Sequence, residues 1–234
     1  MHRELEPKEP ARVLIVSYSF SNQTRKIVRA LKEGLSGREQ VRIRHIRLEP
    51  EPAIDFPLSS IARTVSMMFR TLFRLRTPIR PIPNRSGFDY DLLILAGPTW
   101  SYNPSGPILS FLDRYASDYF YHKPVLPVIS CRGYWRAHWL YLRSRIKRAG
   151  GHPLGPWVFT HPAPEPWRTI GVFLTVAGLH PRQFAFMKGR YRRYGHSRRQ
   201  IEAARDMAAR LKEGLLKGEG PSAMEQGVAS KIVV

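Results

Sequence analysis

The sequence predicts an α/β protein built on a doubly wound, five-stranded parallel sheet in the order 2-1-3-4-5. Three observations carry that expectation. Short, continuous apolar runs alternate with segments of helical period, the mark of parallel strands covered by helices on both faces. The second such run is laced with arginine, which suits a sheet edge. No Gly-x-Gly-x-x-Gly follows the first run, so the winding used for dinucleotides, which normally opens with that motif, is disfavoured.

Val13 to Val16 is wholly apolar, and Ile27, Leu31 and Leu35 then recur four apart, giving strand, loop and helix. Val41, Ile43, Ile46 and Leu48 interleave with Arg42, Arg44 and Arg47 as a second, less buried strand. Ile61, Val65, Met68, Phe69, Leu72 and Leu75 share one helical face, with Arg63, Arg70 and Arg74 opposite. Two readings of this basic amphipathic helix stand: a cover for the sheet, or a membrane-surface element. Prolines 50, 52, 57, 78, 81 and 83 punctuate its flanks, so the region reads as an insertion after the second strand. Leu92 to Ala96 is the third strand, followed by helical spacing from Pro107 to Tyr115. Pro124 to Ser130 is the fourth strand, with a helix from Arg136 to Ala149 stopped at Gly150-Gly151. Trp157 to Thr160 is the fifth. Trp167 to Tyr194 is a second insertion, apolar at first and then rich in aromatic and basic residues. It suits an anionic membrane, a cover over the site or a subunit contact. Ser197 and Gln200 form a capping-box pattern before a last helix striped by Ile201, Ala204, Ala208, Leu211 and Leu215. One domain over residues 11–217 is expected, with 218–234 as a flexible tail.

Composition sets bounds on function. The formal charge of +20, from 38 Lys and Arg against 18 Asp and Glu, attracts nucleic acid, anionic lipid or phosphorylated ligands. No acidic residue falls between Pro166 and Ile201, where Arg168, Arg182, Lys188, Arg190, Arg192, Arg193, Arg198 and Arg199 accumulate. No helix-turn-helix, zinc-finger or RNA-motif pattern accompanies the charge, which disfavours nucleic acid as a partner. Ile170 to Leu179, the longest nearly apolar stretch, is too short to span a bilayer, and Met1 to Pro10 lacks a secretory apolar region. The expected location is therefore cytoplasmic, with peripheral membrane contact and homo-oligomers left open. The single cysteine, Cys131, forms no internal disulfide and reads as a buried thiol. His138, His152 and His161 show no ligand spacing, so no metal site is expected and redox chemistry would need a borrowed cofactor.

In a sheet of this order, ligands bind beyond the strand carboxyl ends, between the first and third strands. Ser17 to Thr24 brings three serines and a threonine to a helix N-terminus, which suits a phosphate; an ordinary cap with surface serines is the other reading. Gly97 to Pro104 and Ser130 to Trp135 offer aromatic faces beside backbone groups, as a flat ring with polar edges requires. Each aromatic taken alone also suits closure of the core.

Ser19-Phe-Ser-Asn-Gln-Thr24 resembles the flavodoxin phosphate loop. Tyr90 to Tyr115 resembles the family's aspartate, strand, Gly-Pro-Thr, aromatic and helix segment, and Lys123 to Gly151 its fourth unit. Val128 to Trp135 and Phe159 to Pro164 are most similar to a flavodoxin-like group labelled dialkylrecorsinol condensing enzymes. The resemblance implies FMN, with phosphate contacts at Ser19, Ser21, Asn22, Gln23 and Thr24. It places ring contacts at Pro98, Thr99, Trp100, Ser101, Tyr102, Asn103, Cys131, Gly133 and Tyr134. Asn22 stands where the family has Gly, and Asn tolerates the left-handed conformation better than most residues. The expected activity is an FMN oxidoreductase linked to NADH or NADPH that serves a quinone or other small acceptor, with flavin-borne chemistry and no catalytic side chain. An electron carrier and a flavin-free basic binding module are the alternatives, and the charge of +20 disfavours a carrier that docks basic partners.

Overall fold

The computed structural model describes residues 10–37, 41–83, 88–218 and 231–233. Its elements are β1 (Ala11–Ser17), α1 (Gln23–Leu35), β2 (Val41–Arg47), α2 (Ile61–Leu72), β3 (Leu92–Trp100), β4 (Asn103–Pro104), α3 (Gly106–Arg114) and α4 (Ala116–Phe120). There follow β5 (Pro124–Cys131), α5 (Arg136–Arg148), β6 (His152–Pro153), β7 (Trp157–Thr160), α6 (Trp167–Val176), α7 (Arg198–Lys217) and β8 (Lys231–Val233). The sheet runs β2-β1-β3-β5-β7-β8, and the first five strands realise the flavodoxin-like order 2-1-3-4-5 in parallel.

Side-chain alternation along the strands divides the core in two. Val13, Ile15, Leu92, Ile94 and Val128 pack under α1 and α7 with Ile27, Leu31, Ala204, Ala208 and Leu211. Leu14, Val16, Leu93, Leu95 and Val125 face the other way, onto Phe111, Phe120, Leu142 and Ile146. Close packing of α1 on α7 requires Gly34, where a Cβ would lie 2.1 Å from the Arg205 carbonyl oxygen. The predicted capping box opens α7: Ser197 Oγ accepts the Gln200 N–H at 3.2 Å, and Gln200 Oε1 accepts the Ser197 N–H at 2.8 Å.

Three features depart from expectation. The sheet gains short strands: β4 folds antiparallel onto β3, and β6 pairs with β5. The C-terminal expectation needs correction, because residues 231–233 are not a tail but β8, in register with Trp157–Phe159; residues 219–230 lie outside the described residues. Gln200 Nε2 anchors β8 by donating to Val233 O at 2.9 Å, and the added strand occupies the hydrogen-bonding edge that β7 would otherwise expose. Finally, α2 does not cover the sheet. That face is filled by Ile46, Leu48 and Ile79 with Ile54, Ile82 and Phe88, while α2 lies over the strand carboxyl ends. Its inward side carries Met67 and Met68, half-buried, with the buried Thr64 and Thr71, whose hydroxyls bond back to Ser60 O and Met67 O. Of its apolar residues only Met67 packs on the core cluster of that face, and the stripe of Ile61, Val65, Phe69 and Leu72 stays outside. No described helix is long and apolar enough to cross a membrane.

Candidate functional site

The chain leaves β1 and enters α1 through Asn22, held in the left-handed region at φ 61°. Helix entry leaves the first N–H groups without intrahelical partners. Here Arg25 N–H donates to Ser19 Oγ (3.2 Å) and Lys26 N–H to Asn22 O (3.1 Å), so the N–H groups of Gln23 and Thr24 form the open end. With no acidic residue in the first turn, and with Arg25 and Lys26 beside it, the positive end of the helix dipole is reinforced. The Gln23 amide ties this loop to the approach to α7: Oε1 accepts the His196 N–H at 3.1 Å. Gly195, at φ +92°, is needed there because a Cβ would lie 2.1 Å from that Oε1.

β3 ends in a two-residue turn, Ser101 and Tyr102, both at positive φ, that returns the chain as β4. The turn's polar groups hold α2. Ser101 Oγ donates to Met68 O (2.9 Å), and Asn103 Nδ2 donates to Thr71 O (3.0 Å) and Leu72 O (3.1 Å). Asn103 Oδ1 accepts from Arg74 Nε at 2.8 Å. Below the turn, Thr99 Oγ1 meets His138 Nδ1 at 2.7 Å.

β5 ends at Ser130 and Cys131. Ser130 Oγ lies 2.7 Å from His196 Nε2, and the buried His196 Nδ1 has no hydrogen-bond partner among the described residues. His161, just after β7, stacks on Tyr191 and meets its hydroxyl at 3.1 Å. Burial lowers His161 and His196 to about 4 and His138 to about 3, so all three are neutral at pH 7. Burial also pushes the Cys131 thiol up to about 12, keeping it protonated.

These pieces line a cleft that opens to solvent. Its floor is the strand-end loops and its lid is α2 with α6, through Met67, Met68, Val172, Phe173 and Val176. Of the residues singled out in the sequence, Ser21, Gln23, Pro98, Thr99, Trp100, Ser101 and Cys131 line it. Ser19 stands behind the loop, Asn22 is exposed at its tip, and Thr24 is buried beneath it. Asn103 is turned to the end of α2, while Tyr102 and Tyr134 form an exposed edge-to-face pair at 5.3 Å. Gly133, at φ +144°, packs against Arg168, where a Cβ would meet the guanidinium at 2.9 Å.

Sequence reasoning missed Ser130, Arg132, His161, Tyr194 and His196 as lining residues; a cover over the site was one of its three readings of residues 167–194, and α6 lines the cavity there through Val172, Phe173 and Val176. One signal for His196 was present. It directly precedes the Ser197 cap, and a helix following a parallel strand starts at that strand's carboxyl end, where ligands bind.

No family model and no curated protein matches this chain. Solved structures do. A flavoprotein in complex with FMN from Lactobacillus acidophilus NCFM is 16% identical, covering 63% of this chain and 93% of that one, with a TM-score of 0.46. A flavodoxin from the domain Archaea is 11% identical over 72% of this chain and 95% of its own, with a TM-score of 0.44. An oxidoreductase from Corynebacterium diphtheriae is 13% identical over 91% and 100%, with a TM-score of 0.46.

Proposed function

We propose that this chain is an FMN-dependent oxidoreductase, reduced by NADH or NADPH and passing electrons to a quinone or other small acceptor. The supporting observation is the convergence of the α1 N-terminus and the ends of β3 and β5 on one cavity at the point where the winding reverses. The residues fit the cofactor. The open N–H groups of Gln23 and Thr24, the Ser21 hydroxyl and the charges of Arg25 and Lys26 suit its phosphate. Ser19 Oγ, which accepts from Arg25 N–H, keeps its own proton to donate. Pro98 to Ser101 and Ser130 to Arg132 bound the space for its ring.

Bound FMN would supply the redox chemistry. The chain's part is to orient and to exclude water. Met67, Met68, Val172, Phe173 and Val176 close the cavity with apolar surface, and Ser130 with neutral His196 sets a proton donor and acceptor 2.7 Å apart in its wall. The charge of +20 favours an enzyme acting on a small acceptor over a carrier that docks basic partners. The likeness to condensing enzymes would need an activated nucleophile, and the protonated, buried Cys131 thiol does not supply one.

Titration of purified protein with FMN and with riboflavin tests the reading. Ser21→Ala is expected to weaken FMN by about tenfold or more while leaving riboflavin nearly unchanged, as loss of one charge-assisted hydrogen bond requires. Failure of the unaltered protein to bind FMN would end it, and equal losses for both ligands would move Ser21 from the phosphate to the ring.

A further inference from the structure

We propose that α2 docks the protein on an anionic lipid bilayer, apolar stripe inward. Thirteen large hydrophobic side chains are exposed among the described residues, and six of them fall in one stretch: Ile61, Val65, Phe69, Leu72, Phe73 and Leu75. This is a single surface. At 100° per residue, Ile61, Val65, Phe69 and Leu72 form one stripe, adjoining the buried side that carries Thr64 and Thr71. Phe69 is 59% exposed and Phe73 71%. Leu179 extends the patch, since the end of α6 lies against the chain entering α2, with Leu58 N–H donating to Val176 O at 2.9 Å.

Charge selects the occupant. From Phe56 to Phe88 there are six arginines and no acidic residue. Arg63 and Arg70 are exposed about 100° or more round the helix from the stripe, from where their long side chains reach headgroups beside it, and they make no ion pair among the described residues. A second copy docking through the same patch would bring two positive surfaces together with no acidic residue of either patch to pair them, because a two-fold interface uses the same patch on both copies. Nucleic acid would satisfy the arginines and leave Phe69 and Phe73 in water. An anionic bilayer takes both, with headgroups meeting the guanidinium groups and the acyl boundary taking the stripe. The inward side of the same helix lines the cavity through Thr64, Met67, Met68 and Thr71, so docking brings the cavity wall to the lipid surface. The inference stands whether or not the cavity holds FMN.

Sedimentation with vesicles of phosphatidylglycerol and phosphatidylcholine in equal parts, and of phosphatidylcholine alone, tests it with full-length protein. Binding to the anionic vesicles is expected, weakening as salt passes physiological strength, where the Debye length is about 8 Å. Phe69→Glu with Phe73→Glu should lower binding about tenfold or more, and Arg63→Glu with Arg70→Glu should lower it and flatten its salt dependence. Both pairs are exposed, and unchanged circular dichroism melting verifies that the variants fold. The proposal is overturned by three results: no binding to anionic vesicles at low salt, equal pelleting of the Phe69/Phe73 variant, or a dimer in sedimentation velocity that this variant dissociates.

Discussion

The floor and the lid of the cavity are built on different principles. The floor is made of strand ends and the loops that leave them, and its polar groups are buried and paired: Thr99 with His138, Ser130 with His196, His161 with Tyr191. The sheet that fixes these residues is the core itself, so moving them means unfolding the protein. The lid meets the molecule through few contacts. α2 is held by the Ser101 hydroxyl and the Asn103 amide, and it turns Ile61, Val65, Phe69 and Leu72 outward. Local stability follows buried contact, so the floor should open only with global unfolding and the lid well before it.

Acid should break the floor first, and with the largest effect. His138, His161 and His196 are buried and neutral, with ordinary values of 6.5 lowered to about 3, about 4 and about 4 by burial. Above pH 6.5 neither folded nor unfolded chain protonates them, so stability is flat there. Between about 6.5 and about 4 the unfolded chain binds protons that the folded chain does not. Stability then falls as pH falls, by up to about 1.4 kcal/mol per pH unit for each histidine. Urea unfolding at intervals from pH 7.5 to 4.5 measures the slope. His138→Gln should make the curve shallower, and an unchanged curve would show that His138 is solvated.

The floor was legible in the sequence because its residues follow from periodicity and topology together. Val13 to Val16, Leu92 to Ala96 and Pro124 to Ser130 are continuous apolar runs, and the chain after each must lie at the same edge of the sheet. The placement of α2 was not legible, because helical period reports that one face is apolar without saying what it faces. Ile61, Val65, Phe69 and Leu72 carry the pattern of a core helix and lie at the surface, while Thr64 and Thr71, polar by type, are buried. Asn103 has a role that was not legible for a related reason. Its place after the third strand matches a ring-binding loop, yet its amide closes the last turn of a helix about thirty residues earlier, a contact no local spacing predicts.

Asn103 therefore gives a second, smaller test of the contrast. Asn103→Ala removes the donor to Thr71 O and Leu72 O and the acceptor for Arg74, leaving buried carbonyls without their partner. A cost of about 1–3 kcal/mol is expected, borne by the lid. Hydrogen exchange should accelerate over residues 61–75 and remain slow in β1, β3 and β5. Faster exchange throughout the sheet would show that the lid is part of the cooperative core.

The smallest effect is expected from the most conspicuous apolar residues. Phe69 is 59% exposed, so truncation to alanine opens no cavity and should change stability by no more than about 0.5 kcal/mol. Phe111, buried beneath the sheet, should cost about 3–5 kcal/mol when cut to alanine. Urea unfolding of both variants at low protein concentration makes the comparison direct. A near-zero cost for Phe69 means that folding does not need this ring at the surface, and the loss of vesicle binding on changing it then reports on docking alone. A cost above about 2 kcal/mol would mean that the ring is buried in solution, and the lid would have to be redrawn as a packed layer of the fold.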